Sequence, residues 1–512
     1  MPLETWRGCD LARISRLAEL FALVVRTGDC LCLEGDLGAG KTTFATALLR
    51  AYGDAPDLTV PSPTFTLVER YDVPRGVIHH ADLYRLDEPD EVHELGLEDA
   101  VYEGVLLVEW PQVGRAVLPD EAATLRFEIE ADDRRCVMVD GGDDWSARIE
   151  RLARMDAFLS AHISSDSQLV YMQGDASARR YARVRTDGRA DRIVMDSPLQ
   201  PDGPPVEDGK PYSAIAHLAE DIAPFVAVAQ ALDARDVSVP KVHAADLDAG
   251  FALIEHLGEA TFGDAISDGA SEAQLYGAAT GLLAELAGSE APQEIVVASL
   301  AGHTGPAATV SVPEFDWAAF RIEAALFTQW YLPFATGASI PPERAAAFTE
   351  IWRGLFEQLG PAQNWVLRDF HSPNLIWRPE ESGLARVGVI DFQDAMRGHA
   401  AYDLVSLLQD ARRDVPRELE AELLEQYIET VQPADTQAFL RAYAILGAQR
   451  ATKILGIFAR LSARDGKPAY LAHMPRIWGY LERNLQHEGL APLRDWYDHA
   501  APGDVRRALR PD

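Results

Sequence analysis

The segment Gly35-Asp36-Leu37-Gly38-Ala39-Gly40-Lys41-Thr42 constrains the fold of this chain more than any other. An apolar run at residues 31–34 precedes it, and a helical pattern covers residues 41–52. A strand, a glycine-rich turn and a helix in this order form a phosphate-binding loop, in which backbone N–H groups and the helix N-terminus surround phosphate oxygens. We predict that Gly35, Gly38, Ala39 and Gly40 cradle ATP, that Lys41 reaches its terminal phosphates and acts catalytically, and that Thr42 offers a hydroxyl to Mg²⁺.

Two acidic residues end apolar runs downstream of this loop. Asp82 follows the run at 77–81, and Glu109 follows the run at 105–108. In open α/β sheets the ligand lies beyond the carboxyl ends of the strands, so both carboxylates are expected near the metal. The alternation of strand and helix patterns through residue 140 favours an α/β fold with a largely parallel sheet.

A second set of polar residues stands much later in the chain. Asp369 and Asn374 lie five positions apart between apolar segments, and Asp391 ends the apolar run at 387–390. Kinase-type phosphotransferases have this layout, with Asp369 as the catalytic base and with Asn374 and Asp391 holding Mg²⁺. Only eleven residues separate Asp391 from Asp403, which leaves no platform for a peptide. A small hydroxylated acceptor is expected.

The expected small lobe of this kinase-like half lacks a lysine at the position where a kinase would bind phosphate. The strand that should carry the phosphate-binding lysine, at residues 192–196, contains none. We expect Arg179 or Arg180, beside a turn at Gly174, to neutralise the nucleotide phosphates instead, although a solvated strand end is an equal alternative. The segment 253–258 is expected to join the two lobes of a protein-kinase-like fold.

Several blocks around the phosphate loop carry a family resemblance. Ser-Pro-Thr-Phe-Thr-Leu-Val at 62–68, His-x-Asp-Leu-Tyr-Arg-Leu at 80–86 and Glu-Trp at 109–110 resemble the TsaE family over about residues 10 to 135. The resemblance implies an ATPase required for N6-threonylcarbamoyladenosine in tRNA, working with TsaB and TsaD. It also implies that Thr43 and Asp82 bind the metal, that Thr64 is a switch residue and that Glu109 supports hydrolysis.

The second half is similar to another family. Gly-Asp-Ala-Ser-x-Arg-Arg-Tyr at 174–181, the block at 367–375 and the block at 391–410 are similar to the AmgK family over about residues 150 to 490. This implies ATP-dependent phosphorylation of the anomeric hydroxyl of N-acetylmuramate and N-acetylglucosamine. A sugar site needs hydrogen-bonding partners and an aromatic face, and the candidates are Gln393, Asp394, Glu323 and the pair Trp330-Tyr331.

Length and composition bound the domain organisation. A chain of 512 residues is too long for a single hydrophobic core, so more than one domain is expected. With 47% hydrophobic residues, it should be globular throughout. A polar break at 140–144 precedes a helical run, so we place a TsaE-like domain at 1–148 and a kinase domain at 149–512. The kinase small lobe is expected at about 149–258 and its helical lobe at about 259–512.

Charge and hydropathy limit the partners. The net charge of −33 is shared, because residues 1–150 hold 14 basic and 30 acidic residues and the remainder 33 and 50. Such an acidic chain is not expected to grip RNA directly, so contact with tRNA should run through a partner protein. No apolar stretch reaches the roughly 20 residues of a membrane span, and we expect a cytoplasmic protein. Two alternatives stay open: a nucleotide-dependent binding module in the first half, and an aminoglycoside or choline kinase in the second.

Overall fold

The computed structural model describes residues 2–172, 179–298, 300–301, 308–360 and 363–507. The described residues form two compact units. Those within 1–198, 242–256 and 300–304 form the first unit, and those within 199–241, 257–299 and 305–512 form the second. Among the described residues, no helix has both the length and the apolar character that a bilayer-spanning segment requires.

The elements up to residue 198 belong to the first unit. The strands are β1 (Glu4–Cys9), β2 (Cys30–Gly35), β3 (Val68–Val73), β4 (Gly76–Asp82), β5 (Val105–Glu109), β6 (Ala123–Ile129), β7 (Arg135–Asp140), β8 (Gln168–Met172), β9 (Arg180–Arg185) and β10 (Arg192–Asp196). The helices are α1 (Leu11–Val24), α2 (Lys41–Tyr52), α3 (Pro89–His93), α4 (Leu97–Glu103) and α5 (Asp143–His162).

The remaining elements belong to the second unit, except for the hairpin strands β13 and β14. The strands are β11 (Pro205–Glu207), β12 (Lys210–Pro211), β13 (Val242–Asp246), β14 (Phe251–Glu255), β15 (Glu294–Val296), β16 (Thr309–Ser311), β17 (Asn364–Val366), β18 (Leu375–Trp377), β19 (Val387–Val389) and β20 (Met396–Gly398). The helices are α6 (Tyr212–Ile215), α7 (Ala223–Asp233), α8 (Phe262–Ser267), α9 (Glu272–Ala287), α10 (Trp317–Leu326), α11 (Leu332–Thr336), α12 (Pro342–Phe356), α13 (Ala401–Leu408), α14 (Arg417–Val431), α15 (Thr436–Ala463), α16 (Met474–Asn484), α17 (Ala491–Ala500) and α18 (Gly503–Arg506), with a π-helical turn at Phe327–Tyr331 between α10 and α11.

The first unit contains a seven-stranded sheet in the order β1-β7-β6-β2-β5-β4-β3. The four central strands, β6, β2, β5 and β4, run parallel, and the outer strands pair antiparallel. The two innermost of these strands, β2 and β5, are almost fully buried, which explains their continuous apolar sequences. The predicted α/β class with a largely parallel sheet is confirmed, and carboxyl ends of β4 and β5 meet in register at Asp82 and Glu109.

The same unit contains a five-stranded antiparallel sheet in the order β13-β14-β10-β9-β8. Its inward side chains, among them Leu169, Val184 and Phe251, join one continuous hydrophobic core with Leu17 and Phe44 of the helices beside the first sheet. The helix α5 contributes Ile149, Leu152 and Phe158 to this core, again with nearly complete burial. The predicted junction between residues 148 and 149 lies inside α5, and the domain boundary stays a prediction.

The second unit is mainly helical and is built around the long helix α15. Eighteen of its 28 residues are buried, so it is apolar on most sides and packs against α10, α13 and α16. Asp435 caps its start by accepting a hydrogen bond from the N–H of Ala438 at 2.9 Å. A side chain at Gly456 would lie 2.4 Å from the carbonyl carbon of Leu326, so glycine permits the close approach of α10. Two short antiparallel pairs, β17–β20 and β18–β19, border the segment that holds Asp369 and Asn374.

Candidate active sites

The phosphate loop lies between β2 and α2 and depends on glycine at its first position. Gly35 has a φ of +145°, and a Cβ there would stand 2.4 Å from the carbonyl oxygen of Phe127. Only glycine fits this combination of torsion angle and neighbour. Gly40 precedes α2 with a φ of +110°, and no side chain caps the first N–H groups of the helix, which leaves them available to an anion. The segment 35–42 therefore has the strand–loop–helix geometry that the predicted anion cradle requires.

Lys41 lies across this cradle. Its ammonium donates hydrogen bonds to the carbonyl oxygens of Gly35 at 2.7 Å and Asp36 at 3.0 Å, and it stands 3.8 Å above the ring of Trp110. Burial lowers the pKa of Lys41, and the carboxylates of Glu109 and Asp82 oppose that shift. Backbone oxygens and an aromatic face thus hold the cation where terminal phosphates would replace them as partners.

Glu109 at the end of β5 links two other groups. One carboxylate oxygen accepts a hydrogen bond from the Thr42 hydroxyl at 3.0 Å, and the other lies 3.0 Å from Nε2 of His80. His80 is completely buried, and its Nδ1 has no hydrogen-bond partner. His79 points elsewhere, with its Nε2 3.1 Å from Glu103. Of these two adjacent histidines, only His80 contacts a residue of the site.

Asp82 at the end of β4 is held by the segment that follows α2. Its Oδ2 accepts hydrogen bonds from the hydroxyls of Thr64 at 2.7 Å and Ser62 at 2.9 Å, and its Oδ1 accepts one from the N–H of Tyr84 at 3.0 Å. Asp82 is 3% exposed, so these donors compensate a carboxylate that has little water around it. This contact is the observed basis for a link between Thr64 and the metal candidate Asp82.

A cavity of about 330 Å³ brings these groups together. Its lining contains Gly38, Gly40, Lys41, Thr42, Thr43, Thr64, Asp82 and Glu109 of the predicted residues, and Leu11, Leu37, Ser62, Tyr84, Trp110 and Arg135 in addition. Two predicted residues, Gly35 and Ala39, do not line the cavity, and Ala39 is fully buried. Arg135 was not predicted from the sequence, because no local motif marks a residue on β7, two strands from β2 in the sheet. Its guanidinium donates a hydrogen bond to the Gly38 carbonyl oxygen at 3.3 Å. Hydroxyl and carboxylate oxygens are the donors that Mg²⁺ prefers, so Thr42, Thr43 and Asp82 fit that ion.

The second site lies in the loop between β17 and β18 and just after β19. The Asn374 amide donates to the Asp369 carbonyl oxygen at 3.0 Å and to Oδ2 of Asp391 at 3.4 Å. Gln393 donates to Oδ1 of Asp391 at 3.0 Å. Asp369, Asn374 and Asp391 therefore meet as predicted, and an amide and a carboxylate oxygen fit Mg²⁺ held between protein and phosphate. Asp391 has a φ of +60°, a strained torsion angle of the kind that concentrates at active sites.

The Asp369 carboxylate faces cations from α15. Oδ1 lies 3.8 Å from the guanidinium of Arg450, which also donates to the carbonyl oxygen of Arg368 at 2.9 Å. Burial raises the pKa of Asp369, but Arg450 and then Lys453 outweigh it, and the net pKa lies below the ordinary value. The carboxylate is therefore ionised at neutral pH, as a proton acceptor must be.

Asp403, at the start of α13, fixes the backbone of this loop. Its carboxylate accepts hydrogen bonds from the N–H groups of Leu367 at 2.5 Å and Arg368 at 2.9 Å. Burial raises its pKa to about 7. Both backbone donors would otherwise be unpaired in the interior, so the contact holds the segment immediately before Asp369 in one conformation.

Glu323, predicted as a sugar contact, lies behind the catalytic loop. It is fully buried, forms an ion pair with Arg368, and accepts hydrogen bonds from Lys453 at 2.6 Å and Gln449 at 3.1 Å. Although burial raises the pKa of Glu323, Lys453 and Arg368 lower it to about 2. Its oxygens are occupied, so the structure gives Glu323 a positioning role. Tyr331 is also buried, and its hydroxyl donates to the Val505 carbonyl at 2.9 Å.

The predicted phosphate-neutralising arginines belong to the first unit. Arg180 donates to the Leu23 carbonyl at 3.1 Å and lies 3.5 Å from Asp196, so it joins α1 to the five-stranded sheet. A phosphate contact by Arg180 would require it to leave these partners. Arg179 precedes β9, and its contact with the nucleotide phosphates stays a prediction, whereas Gly174 lies outside the described residues.

Gln393 and Asp394 follow Asp391 directly and point to different partners. Gln393 is 5% exposed and lines a cavity of about 270 Å³, whereas Asp394 accepts a hydrogen bond from the N–H of Ala219 at 2.7 Å. The place of the segment around Ala219 in this lining was not predicted, because nothing in its local sequence distinguishes it from an ordinary loop. Arg450 and Lys453 were not predicted either, although two cations within the apolar pattern of α15 were a usable signal.

Comparison with known proteins assigns the N-terminal and C-terminal parts of the chain to two different families. The family model described as threonylcarbamoyl adenosine biosynthesis protein TsaE matches residues 10–137, and the model of the phosphotransferase enzyme family matches residues 168–443. The chain is 40% identical over 369 residues to the N-acetylmuramate/N-acetylglucosamine kinase of Caulobacter vibrioides, covering 70% of this chain and 99% of the relative. The corresponding kinase of Pseudomonas aeruginosa is 33% identical over 323 residues, or 62% of this chain and 83% of the relative. The tRNA threonylcarbamoyladenosine biosynthesis protein TsaE of Rickettsia bellii is 36% identical over 118 residues, or 23% of this chain and 81% of the relative.

Fold, sites and comparisons together define the class of protein. It is an enzyme in which a phosphate-loop ATPase domain is fused to a kinase-type phosphotransferase domain. The chain belongs to the TsaE family through its N-terminal part and to the phosphotransferase enzyme family, with AmgK-like kinases as relatives, through its C-terminal part.

Proposed function

We propose that this chain is a bifunctional enzyme. Its C-terminal part phosphorylates the anomeric hydroxyl of N-acetylmuramate and N-acetylglucosamine with ATP, and its N-terminal part hydrolyses ATP in support of N6-threonylcarbamoyladenosine formation on tRNA. The observation that supports the kinase activity most strongly is the meeting of Asp369, Asn374 and Asp391 in a chain that covers 99% of a named sugar kinase.

In the proposed kinase reaction, each of these residues has one task. Asp369, held ionised by Arg450, accepts the proton of the sugar hydroxyl while the hydroxyl oxygen attacks the terminal phosphorus of ATP. The bond between that phosphorus and its bridging oxygen breaks, and ADP leaves with the electron pair. Asn374 and Asp391 would hold Mg²⁺, which when bound neutralises phosphate charge. Asp403 and Glu323 keep the loop in place without touching substrate.

In the proposed ATPase site, Lys41 contacts the terminal phosphates while Thr42, Thr43 and Asp82 would hold Mg²⁺. Glu109, hydrogen-bonded to Thr42, supports hydrolysis by orienting groups beside the phosphates. We place TsaB-like and TsaD-like proteins as the partners that carry this activity to tRNA, because a chain of net charge −33 is a poor direct RNA ligand. ATP and tRNA are cytoplasmic, so both activities belong there.

The kinase activity is tested with the full-length protein, ATP and Mg²⁺. N-Acetylmuramate and N-acetylglucosamine should both be phosphorylated, and ³¹P NMR of the products should place the phosphate on the anomeric carbon. Aminoglycosides and choline serve as competing acceptors in parallel assays. Turnover of an aminoglycoside or choline without turnover of either N-acetyl sugar would replace the proposed substrate class.

The assignment of one catalytic centre to each domain is tested with two reciprocal variants. Asp369→Ala should lower the kinase kcat by about 10²- to 10⁴-fold, the usual contribution of a positioned base, and leave ATP hydrolysis in the N-terminal domain intact. Lys41→Ala should do the reverse. Loss of both activities in each variant would contradict two separate centres.

The role of the N-terminal domain is tested by measuring ATP hydrolysis with and without purified TsaB-like and TsaD-like proteins, in an Asp369→Ala background that silences the kinase. We expect the partners to stimulate hydrolysis and to require it for repeated rounds of tRNA modification. Modification that proceeds at full rate with the Lys41→Ala protein would show that ATP hydrolysis here is dispensable.

A further inference from the structure

The second unit contains a cavity of about 270 Å³ next to the segment that follows Asp391. One wall is the segment 213–220, which includes the end of α6, and another is the strand end at 310–313. Gln393 and Ala395 close the wall next to the metal candidate Asp391. The volume is of the size that a single small ligand such as a monosaccharide requires.

Hydrogen bonds tie this cavity to the catalytic residues. The guanidinium of Arg368 donates to the carbonyl oxygen of Ala216 at 2.9 Å, and Asp394 accepts from the N–H of Ala219 at 2.7 Å. The Gln393 side chain itself donates to Asp391 at 3.0 Å. The wall of the cavity is therefore one hydrogen bond from Asp391, and its segment 213–220 is anchored to the residue preceding Asp369.

Two buried acceptor atoms of the lining have no partner. Gln393 is 5% exposed, and its Oε1 accepts no hydrogen bond although its Nε2 is engaged. Oε1 of Glu220 is also buried and unpartnered. A buried acceptor without a partner destabilises the free protein, so a ligand that brings O–H or N–H donors to this cavity binds more tightly by satisfying it.

The rest of the lining fits the same kind of ligand. Leu218, Val228 and Val312 supply apolar surface for C–H faces or a methyl group, and Ser213 and Ser311 supply hydroxyls. His217 already has an acidic partner, Asp316, at 3.2 Å. Acceptors and apolar contacts predominate, as recognition of the hydroxyl, amide and methyl groups shared by the two N-acetyl sugars requires.

We propose that this cavity is the acceptor site for the N-acetyl-hexosamine, with Glu220 and Gln393 accepting hydrogen bonds from its hydroxyl and amide groups. The proposal rests on the proposed sugar kinase activity and assigns it a binding site. Glu220 is a specificity residue that contacts substrate without taking part in proton transfer. We assign to Glu220 the sugar contact that was predicted for Glu323, because the Glu323 carboxylate already pairs with Arg368 and Lys453.

Two variants and a matched control test the site in the full-length protein. Glu220→Gln keeps the side-chain shape and weakens a charge-assisted hydrogen bond, so the KM for N-acetylglucosamine should rise about tenfold while the KM for ATP stays within twofold. Ser311→Trp should fill the cavity from its exposed rim. Thr309→Trp is the control, since Thr309 is exposed on the same strand but does not line the cavity.

Binding of N-acetylglucosamine without ATP, measured by saturation-transfer NMR, gives a readout independent of turnover. Wild type and Thr309→Trp should bind the sugar, Glu220→Gln should bind it weakly, and Ser311→Trp should not bind it. Wild-type sugar KM and binding in both Glu220→Gln and Ser311→Trp would overturn the site while the kinase function stands. Absence of sugar turnover in the wild type would instead refute the proposed function and the acceptor site with it. If Ser311→Trp fails to fold, the isosteric Glu220→Gln decides.

Discussion

At the scale of single residues, Glu109 is held from two sides. Thr42 donates to one of its oxygens, and the buried His80 lies 3.0 Å from the other. Because Thr42 is also a candidate ligand of Mg²⁺, the orientation of Glu109 and the geometry of the metal site depend on each other. His80 is not among the residues that line the cavity, so we expect it to act on the reaction through its contact with Glu109.

His80→Ala should therefore lower kcat for ATP hydrolysis roughly tenfold with little change in the KM for ATP, as loss of an orienting second partner does. His80→Gln, which can place an amide nitrogen where Nε2 stood, should restore most of the rate. The control is His79→Ala, because His79 is the next residue on β4 and pairs with Glu103 outside the site. Equal losses in His79→Ala and His80→Ala, without rescue by glutamine, would contradict a positioning role.

Glu323 offers a second test at this scale, because it neutralises two buried cations. Glu323→Gln leaves Arg368 and Lys453 without their anionic partner, and breaking such a buried network costs about 3–5 kcal/mol. Urea unfolding should show this loss, with Glu314→Gln at an exposed position as the control. The sugar KM of the folded fraction should stay unchanged. A raised sugar KM at wild-type stability would return Glu323 to the sugar site.

At the scale of elements, α1 and β8 meet through a partly buried carboxylate. Glu19 of α1 accepts a hydrogen bond from the N–H of Leu169 at 2.9 Å and pairs with Arg16 at 3.3 Å. Burial raises its pKa to about 6, and Arg16 opposes the shift. The helix therefore satisfies a backbone donor of β8 with a group that titrates in the mildly acidic range.

The direction of the resulting pH dependence follows from the raised pKa. A carboxyl with a higher pKa in the folded protein binds its proton more tightly there, so stability is greatest below pH of about 4.5 and falls as pH rises through about 6. The difference of about 1.5 pKa units corresponds to about 2 kcal/mol. Glu19→Gln should remove this fall in melting temperature between pH 5 and 7, whereas Glu128→Gln, at an exposed position of β6, should retain it. A Glu19→Gln profile parallel to wild type would refute the assignment.

The elements also show which predictions a sequence supports. The helix over residues 41–52 and the strand over 192–196 form at the predicted bounds, because capping, glycine and apolar alternation act between near neighbours. The roles of Glu323 and Glu220 depend on α15 and on Gln393, which are more than 100 residues away. Local patterns carry no information on such partners, so the sequence could predict which motif residues come together but not the residues that we propose for the acceptor site.

At the scale of the molecule, the two family matches do not correspond to separate hydrophobic cores in the first unit. The TsaE match ends at residue 137 and the phosphotransferase match begins at residue 168, yet side chains from both share one hydrophobic core. Arg75 lies against both Tyr52 of α2 and Tyr171 of β8, 4.2 Å and 3.7 Å from the two rings. The phosphate-loop helix α2 and the first strand of the phosphotransferase match are therefore coupled in stability.

Leu169→Ala tests this coupling, because Leu169 belongs to the phosphotransferase match but is buried in the shared core. Removing its side chain should destabilise the first unit by about 2–5 kcal/mol. Hydrogen exchange should then speed up in α1 and α2 as well as in β8, and ATP hydrolysis by the N-terminal domain should be lost at a lower temperature. Leu404→Ala, in α13 of the second unit, removes an equally buried leucine and should leave exchange in α1 at the wild-type rate. Faster exchange confined to the five-stranded sheet in Leu169→Ala would mean that the two sheets unfold separately despite their common core.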